Sequence, residues 1–304
     1  MNSYLKLPSL TNGQFELVVS PDTGRIVRYG AVGGANVLWE HPGAGETASP
    51  FVGWVNWGGD KVWLWPEQDW PAWNGGRNAP PGDPPTVPYE VQIDGRFLRM
   101  VSPVLPSCGL RIVREIKLAA TGSAVTLVNR VEKMPSETPS VHVGAWVVTQ
   151  IPAPLQAAAR LLDDDGSPRY QSFPEGEWRD VKAQGDIVVL TRAATPWAKI
   201  GLEADLLAAP VGQWLFVARA PAHANSSGPY QPCCRAQVFS DPDDSPFRHA
   251  GVPAYIELEF TSPVRPLTIG KTVSLTLEWE LYPLPSAGES LADTVTALTA
   301  ANGE

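Results

Sequence analysis

The chain has 304 residues, 43% of them hydrophobic and only 18% charged, so a sizeable core can be buried. Asp and Glu outnumber Lys and Arg by 32 to 23, a net charge of −9, which argues against the basic footprint that nucleic-acid phosphates require. No run approaches the ~18 consecutive apolar residues of a membrane span, so neither nucleic acid nor membrane is an expected partner.

Residues 1–8 lack a basic stretch followed by an apolar one; no secretory signal is expected, and a reducing cytoplasm is the expected location. Residues 15–19 open a series of strands, set off by turn signals at Asn12-Gly13 and Asp22-Thr23-Gly24. Tryptophan is the compositional outlier. The chain holds 12, and Trp39, Trp54, Trp57, Trp63, Trp65, Trp70 and Trp73 all fall within residues 39–73. In that stretch Gly58-Gly59 permits a positive φ or a close backbone approach. Lys61, Trp63 and Trp65 then share one strand parity, and Pro66 ends the strand so that Glu67 emerges at its tip. Residues 71–88 follow as a long loop rich in Gly, Pro and Asn, the kind that carries function or stays disordered.

Residues 112–118, 125–129, 141–151, 186–190, 197–202, 213–218, 255–260 and 273–281 read as further strands with period-two alternation. Residues 155–162 have helical propensity but follow Pro152 and Pro154, and they stay ambiguous between helix and strand. Residues 286–301 are the helix candidate, with Leu291, Val295 and Leu298 on one face and Ser286 placed to cap. The fold class is therefore all-β: one large antiparallel β-sandwich domain spanning 1–304, with a short C-terminal helix.

Cys108, Cys233 and Cys234 cannot build a disulfide framework, and the adjacent pair reads as inert. None of His41, His142, His223 and His249 has a metal-ligand spacing, so no metal is expected. The acidic runs at 163–165 and 241–244 lack a calcium-loop pattern and read as solvated turns. Without a phosphate-binding loop, no nucleotide cofactor is expected either, and the usual nucleophile elbow of serine hydrolases is missing.

Three groups of residues could carry chemistry. Sugars have apolar C–H faces and polar rims, which suit an aromatic platform edged by amides, carboxylates and cations. The stretch from Asn56 through Lys61, Trp63, Trp65 and Glu67 to Arg77 supplies all of these, although several tryptophans should instead fill the core. In residues 141–151 the parity of Val141, Val143, Ala145 and Val147 reads as the core face, leaving His142, Trp146 and Gln150 on the other. His142 could there donate a proton near neutral pH, or serve as a hydrogen-bonded structural residue. Glu257 and Glu259 face one way on a strand, ~6.5–7 Å apart by strand rise. Such neighbours repel and raise one pKa, which makes an acid or a base. An exposed strand edge, or pairing with Arg265 and Lys271, is the structural alternative.

Taken together these segments resemble the galactose-mutarotase-like (aldose 1-epimerase-like) superfamily, and within it a branch described as a domain of unknown function. The resemblance rests on residues 12–26 and 34–39, Gly58-Gly59-Asp60-Lys61 through Glu67, Trp146 to Gln150, residues 197–201, and Glu257 and Glu259 with residues 267–270 and 277–281. It implies a β-supersandwich whose concave face binds carbohydrate. In such epimerases a late-strand glutamate takes the anomeric hydroxyl proton while a histidine protonates the ring oxygen; Glu257 or Glu259 and His142 would be their counterparts. The superfamily's His-x-Tyr-Phe-Asn stretch is missing here, with Val143-Gly144-Ala145-Trp146 near its place. Three readings follow: an isomerase acting on a sugar, a carbohydrate-binding protein without catalysis, or a polysaccharide lyase or hydrolase in which Glu67 or Asp69 joins the site.

Overall fold

The computed structural model describes residues 6–41, 56–83, 85–162, 168–173, 176–194, 196–221, 230–243, 245, 252–284 and 289–301. Alternating apolar and polar residues produce the strands β1 (Ser9–Thr11), β2 (Phe15–Ser20), β3 (Arg25–Ala31), β4 (Asp60–Trp65), β5 (Glu90–Asp94), β6 (Phe97–Val101), β7 (Leu110–Leu118), β8 (Val125–Lys133), β9 (Ser140–Pro152) and β10 (Gln156–Leu161). They continue as β11 (Tyr170–Ser172), β12 (Asp180–Gln184), β13 (Ile187–Thr191), β14 (Ala198–Leu202), β15 (Ala204–Val211), β16 (Trp214–Arg219), β17 (Ala236–Ser240), β18 (Tyr255–Thr261), β19 (Arg265–Thr268) and β20 (Thr272–Pro283). A 3-10 turn at Glu67–Asp69 runs into α1 (Trp70–Trp73), and α2 (Leu291–Ala301) closes the described chain.

Two antiparallel sheets result. The first runs β1-β2-β3-β4-β9-β18-β17-β14-β11, with β19 paired to the outer part of β9, and the second runs β12-β13-β10-β15-β16-β20-β8-β7-β6-β5. Their facing sides form one apolar layer, in which Val143, Ala145, Val147, Ile256, Leu258 and Phe260 of the first sheet join Ile112, Ile116, Leu127, Phe216, Leu275 and Leu277 of the second. Parity then dictates that the alternate residues of β4, β9 and β18 point to the other side of the first sheet. The expected all-β sandwich is what forms.

Two local readings are resolved by packing. Residues 156–161 are the strand β10, because pairing on both sides with β13 and β15 buries Ala157 and Ala159 in the core and outweighs their helical propensity. The C-terminal helix is present, resting Ala292 and Val295 on β10 and β13. Its start is capped by Ser290, whose Oγ accepts the Asp293 N–H at 3.1 Å; Ser286 lies outside the described residues.

Candidate functional site

The outer face of the first sheet is organised by register. Gln150 of β9, Glu257 of β18, Phe239 of β17 and Lys199 of β14 stand in one row across four strands. The next row holds Lys61 of β4, Val148, Glu259, Gln237 and Gly201. The ion pairs cross between these rows. Lys61 Nζ lies 3.5 Å from Glu257 Oε1, and Lys199 Nζ lies 3.0 Å from Glu259 Oε2. Amide and indole donors complete the set: Gln150 Nε2 donates to Glu257 Oε1 at 2.8 Å, and Trp146 Nε1 donates to Glu259 Oε2 at 2.8 Å.

Depth separates the two carboxylates. Glu259 is wholly buried, whereas Glu257 keeps 8% of its surface. Desolvation pushes the Glu259 carboxyl up to about 7; Lys199 opposes this and the Glu257 charge adds to it. Burial likewise lowers the Lys61 ammonium to about 8, against the attraction of Glu257. Glu67 is exposed as a residue, yet its carboxyl is raised, first by desolvation and then by Glu257, with Lys199 opposing. Its coupling to both groups sets Glu67 at the rim of the same cluster. Among the described residues, Gln150 Oε1, Glu259 Oε1 and both side-chain polar atoms of Gln237 are buried without a hydrogen-bond partner. Native proteins rarely leave such atoms unmatched, and four of them lie on this one sheet face.

The structure thus brings together Lys61, Trp63, Trp146, Gln150, Glu257 and Glu259, with Trp65 beside Trp146 and Glu67 at the edge. It does not bring in His142. That residue is exposed at the far end of β9, opposite Pro266 of β19, six residues from the Val148 that faces Glu259. Six residues of strand span ~20 Å, so the expected pairing of His142 with a late glutamate is not formed. Shared parity placed it on the right face but said nothing of distance along the strand. His41 packs edge-on to Trp39, which contacts Tyr255 at 4.7 Å, two residues before Glu257. His223 and His249 lie outside the described residues, as does Trp54.

The tryptophans also differ from an open platform. Trp63 and Trp65 are each 7% exposed and Trp146 only 3%. Trp63 and Trp65 meet Trp146 edge to face at 5.3 and 5.4 Å, and Trp70 of α1 stacks on it at 5.8 Å. The chain beyond Pro66 folds back because Trp70 Nε1 finds the Leu64 carbonyl at 2.8 Å, which covers the indoles. What they offer instead is a low-dielectric wall: Lys61 Nζ sits 4.8 Å over the Trp63 ring and Lys199 Nζ 4.8 Å over that of Trp146.

Asn56 serves a turn, its Oδ1 accepting the Gly58 N–H at 3.2 Å. Arg77 stands apart in the loop after α1, where Nη2 donates to Asn74 Oδ1 at 3.0 Å. The glutamates pair with Lys61 and Lys199; Arg265 and Lys271 are exposed and make no ion pair among the described residues. Gln237 is the member that sequence reasoning missed, and Lys199 reads from sequence only as a cation, like Lys61 and Arg77, that could meet an acidic sugar or stay solvated. Each is a polar residue alternating with apolar ones in a strand (Ala198-Lys199-Ile200, Ala236-Gln237-Val238), a signal that is readable but faint.

No protein-family model matches this sequence, and no curated protein matches it. Solved structures do. A galactose mutarotase-like protein from Lactobacillus casei is 12% identical with a TM-score of 0.57, covering 91% of this chain and all of that one. A galactose mutarotase related enzyme from Lactobacillus acidophilus is 9% identical with a TM-score of 0.52, covering 92% and 98%. A TPR-domain containing protein from Parabacteroides distasonis is 13% identical with a TM-score of 0.60, over 92% of this chain but 48% of that one. At such identities the likeness is one of fold, and the fold is that of galactose mutarotase-like proteins.

Proposed function

We propose that the outer face of the first sheet binds a carbohydrate and interconverts its anomers by acid–base chemistry, with Glu257 as base and Lys61 as acid. The observation that carries this reading is the pair of desolvated Glu–Lys contacts on one sheet face, set among buried amide and carboxylate atoms that lack partners. In the forward step Glu257 takes the proton of the anomeric hydroxyl while Lys61 gives one to the ring oxygen. The bond between C1 and the ring oxygen breaks, the aldehyde rotates about C1–C2, and closure from the other face returns both protons. Lys61, lowered to about 8, is still protonated at neutral pH and is a stronger acid than an ordinary lysine. Glu259, Gln150 and Gln237 would hold sugar hydroxyls, and the covering indoles exclude water.

Optical rotation of freshly dissolved aldoses tests this. Glu257→Gln and Lys61→Met should each slow enzymatic interconversion on the order of 100-fold or more, while His142→Ala stays at the wild-type rate. Activity should also fall as pH rises past about 8, where Lys61 loses its proton. Interconversion no faster than in buffer for the wild type ends the catalytic reading. Binding without catalysis is the second reading, favoured by the separation of His142 from both glutamates. A sugar that perturbs tryptophan fluorescence without changing its own mutarotation rate would decide for it.

A further inference from the structure

A cavity of about 990 Å³ opens not at the Glu–Lys cluster but between the loop after α1 and the turn at residues 103–107. That volume lies at the upper end of the ~300–1,000 Å³ of small-molecule sites. Its walls mix apolar and hydrogen-bonding surface. Val104, 40% exposed, and Pro80 supply the first, and Asn78 and Arg77 the second. Arg77 is steadied by Asn74 and makes no ion pair among the described residues, so part of its guanidinium fork is uncommitted.

Asp83 joins this cavity to the cluster. It lines the cavity, while its Oδ2 accepts Trp63 Nε1 at 2.7 Å and Arg25 Nη2 at 2.6 Å on the outer face of the sheet. Trp63 in turn lies under Lys61. The second carboxylate oxygen, Oδ1, is buried and has no partner among the described residues. Asp83 and Trp63 therefore lie between the cavity and the Lys61–Glu257 pair, and Asp83 carries an unmatched acceptor.

Resting on the carbohydrate reading above, we propose that the ligand is an oligosaccharide. Its reducing-end ring lies at Lys61 and Glu257, and the following units pass Asp83 into the cavity, against Val104 and Pro80 and within reach of Arg77 and Asn78. Titration calorimetry tests this with glucose, galactose, xylose and galacturonate, each against its linear trisaccharide. One trisaccharide should bind at least tenfold more tightly than its own monosaccharide. Val104→Trp, which crowds the cavity wall, should reduce that gain and leave the monosaccharide affinity unchanged. Arg77→Ala, at an exposed position, should also reduce the gain, and it carries the test if Val104→Trp fails to fold. Equal affinities for one ring and three, or a gain that survives both substitutions, overturn the proposal while leaving monosaccharide recognition standing. If no sugar binds at all, the carbohydrate reading itself fails and takes this one with it.

Discussion

Glu259 shows how a single side chain can set the character of a site. Its carboxylate is fully buried, held by one indole N–H and one ammonium, and it shares a strand face with Glu257 two residues away. The folded protein keeps the Glu259 proton up to about 7, above the ordinary carboxylate range in which the unfolded chain releases it. Native stability should therefore decline as pH rises from about 4.5 to about 7, because over that interval the folded state binds more protons than the unfolded one. Glu259→Gln should abolish that part of the decline, a difference on the order of 2 kcal/mol between pH 5 and pH 8. Urea unfolding of both proteins at the two pH values reads it directly; parallel behaviour would place the titration elsewhere. Lys199, whose side chain keeps 16% of its surface exposed, can be rehydrated in the variant and need not unfold it.

At the scale of the element, β4 is the strand that the sequence singled out, and its entrance explains why it sits where it does. Gly58 and Gly59 both adopt positive φ, 80° and 68°. A Cβ on Gly59 would lie 2.3 Å from the Ile26 carbonyl oxygen, so the chain can pass β3 only as glycine. That passage delivers Lys61, Trp63 and Trp65 to the outer face and Asp60, Val62 and Leu64 to the inner one. Gly59→Ala combines left-handed strain with a backbone clash and should cost at least about 2 kcal/mol, measured as a fall in the urea midpoint. An unchanged midpoint would mean that the entrance to β4 yields more easily than its geometry implies. The same element shows the limit of parity. Alternation in β9 placed His142, Trp146 and Gln150 on one face correctly, but neighbours in the site are fixed by pairing with β4 and β18, and pairing is not written in the alternation.

Across the whole molecule the two sheets are held by more than apolar contact. Asp60 of β4 receives a hydrogen bond from Thr149 Oγ1 at 2.8 Å and an ion pair from Arg114 of β7, in the other sheet. Arg114 also donates Nη1 to the Asp60 carbonyl at 3.1 Å and Nε to Asn129 Oδ1 at 3.0 Å. Both charges are fully buried, and burial is the first influence on Asp60, raising its pKa against the pull of Arg114. Arg114→Met leaves that carboxylate without its partner and should cost about 3–5 kcal/mol. The double variant Asp60→Asn/Arg114→Met should recover part of the loss, since no charge then remains stranded. Chemical denaturation of the three proteins measures both effects, and a single variant as stable as the wild type would deny the pair any structural role. This clamp lies one residue from Lys61, so the site and the seam between the sheets share the same short strand.

By itself the sequence determined the class of the molecule. Period-two alternation and turn residues set the strands, the inward parities of β9 and β18, and the outward grouping of Glu257 with Glu259, because side-chain direction in a strand is a local property. It also marked His142, Asn56, Lys61, Trp63, Trp65, Glu67, Arg77, Trp146 and Gln150 as belonging with those glutamates. Only the tertiary structure decided which of these meet, that Lys199 and Gln237 join them, that α1 covers the tryptophans, and that His142 stands away. Those outcomes depend on the register between strands distant in sequence, which is chosen by the packing of the whole sandwich and has no local signature.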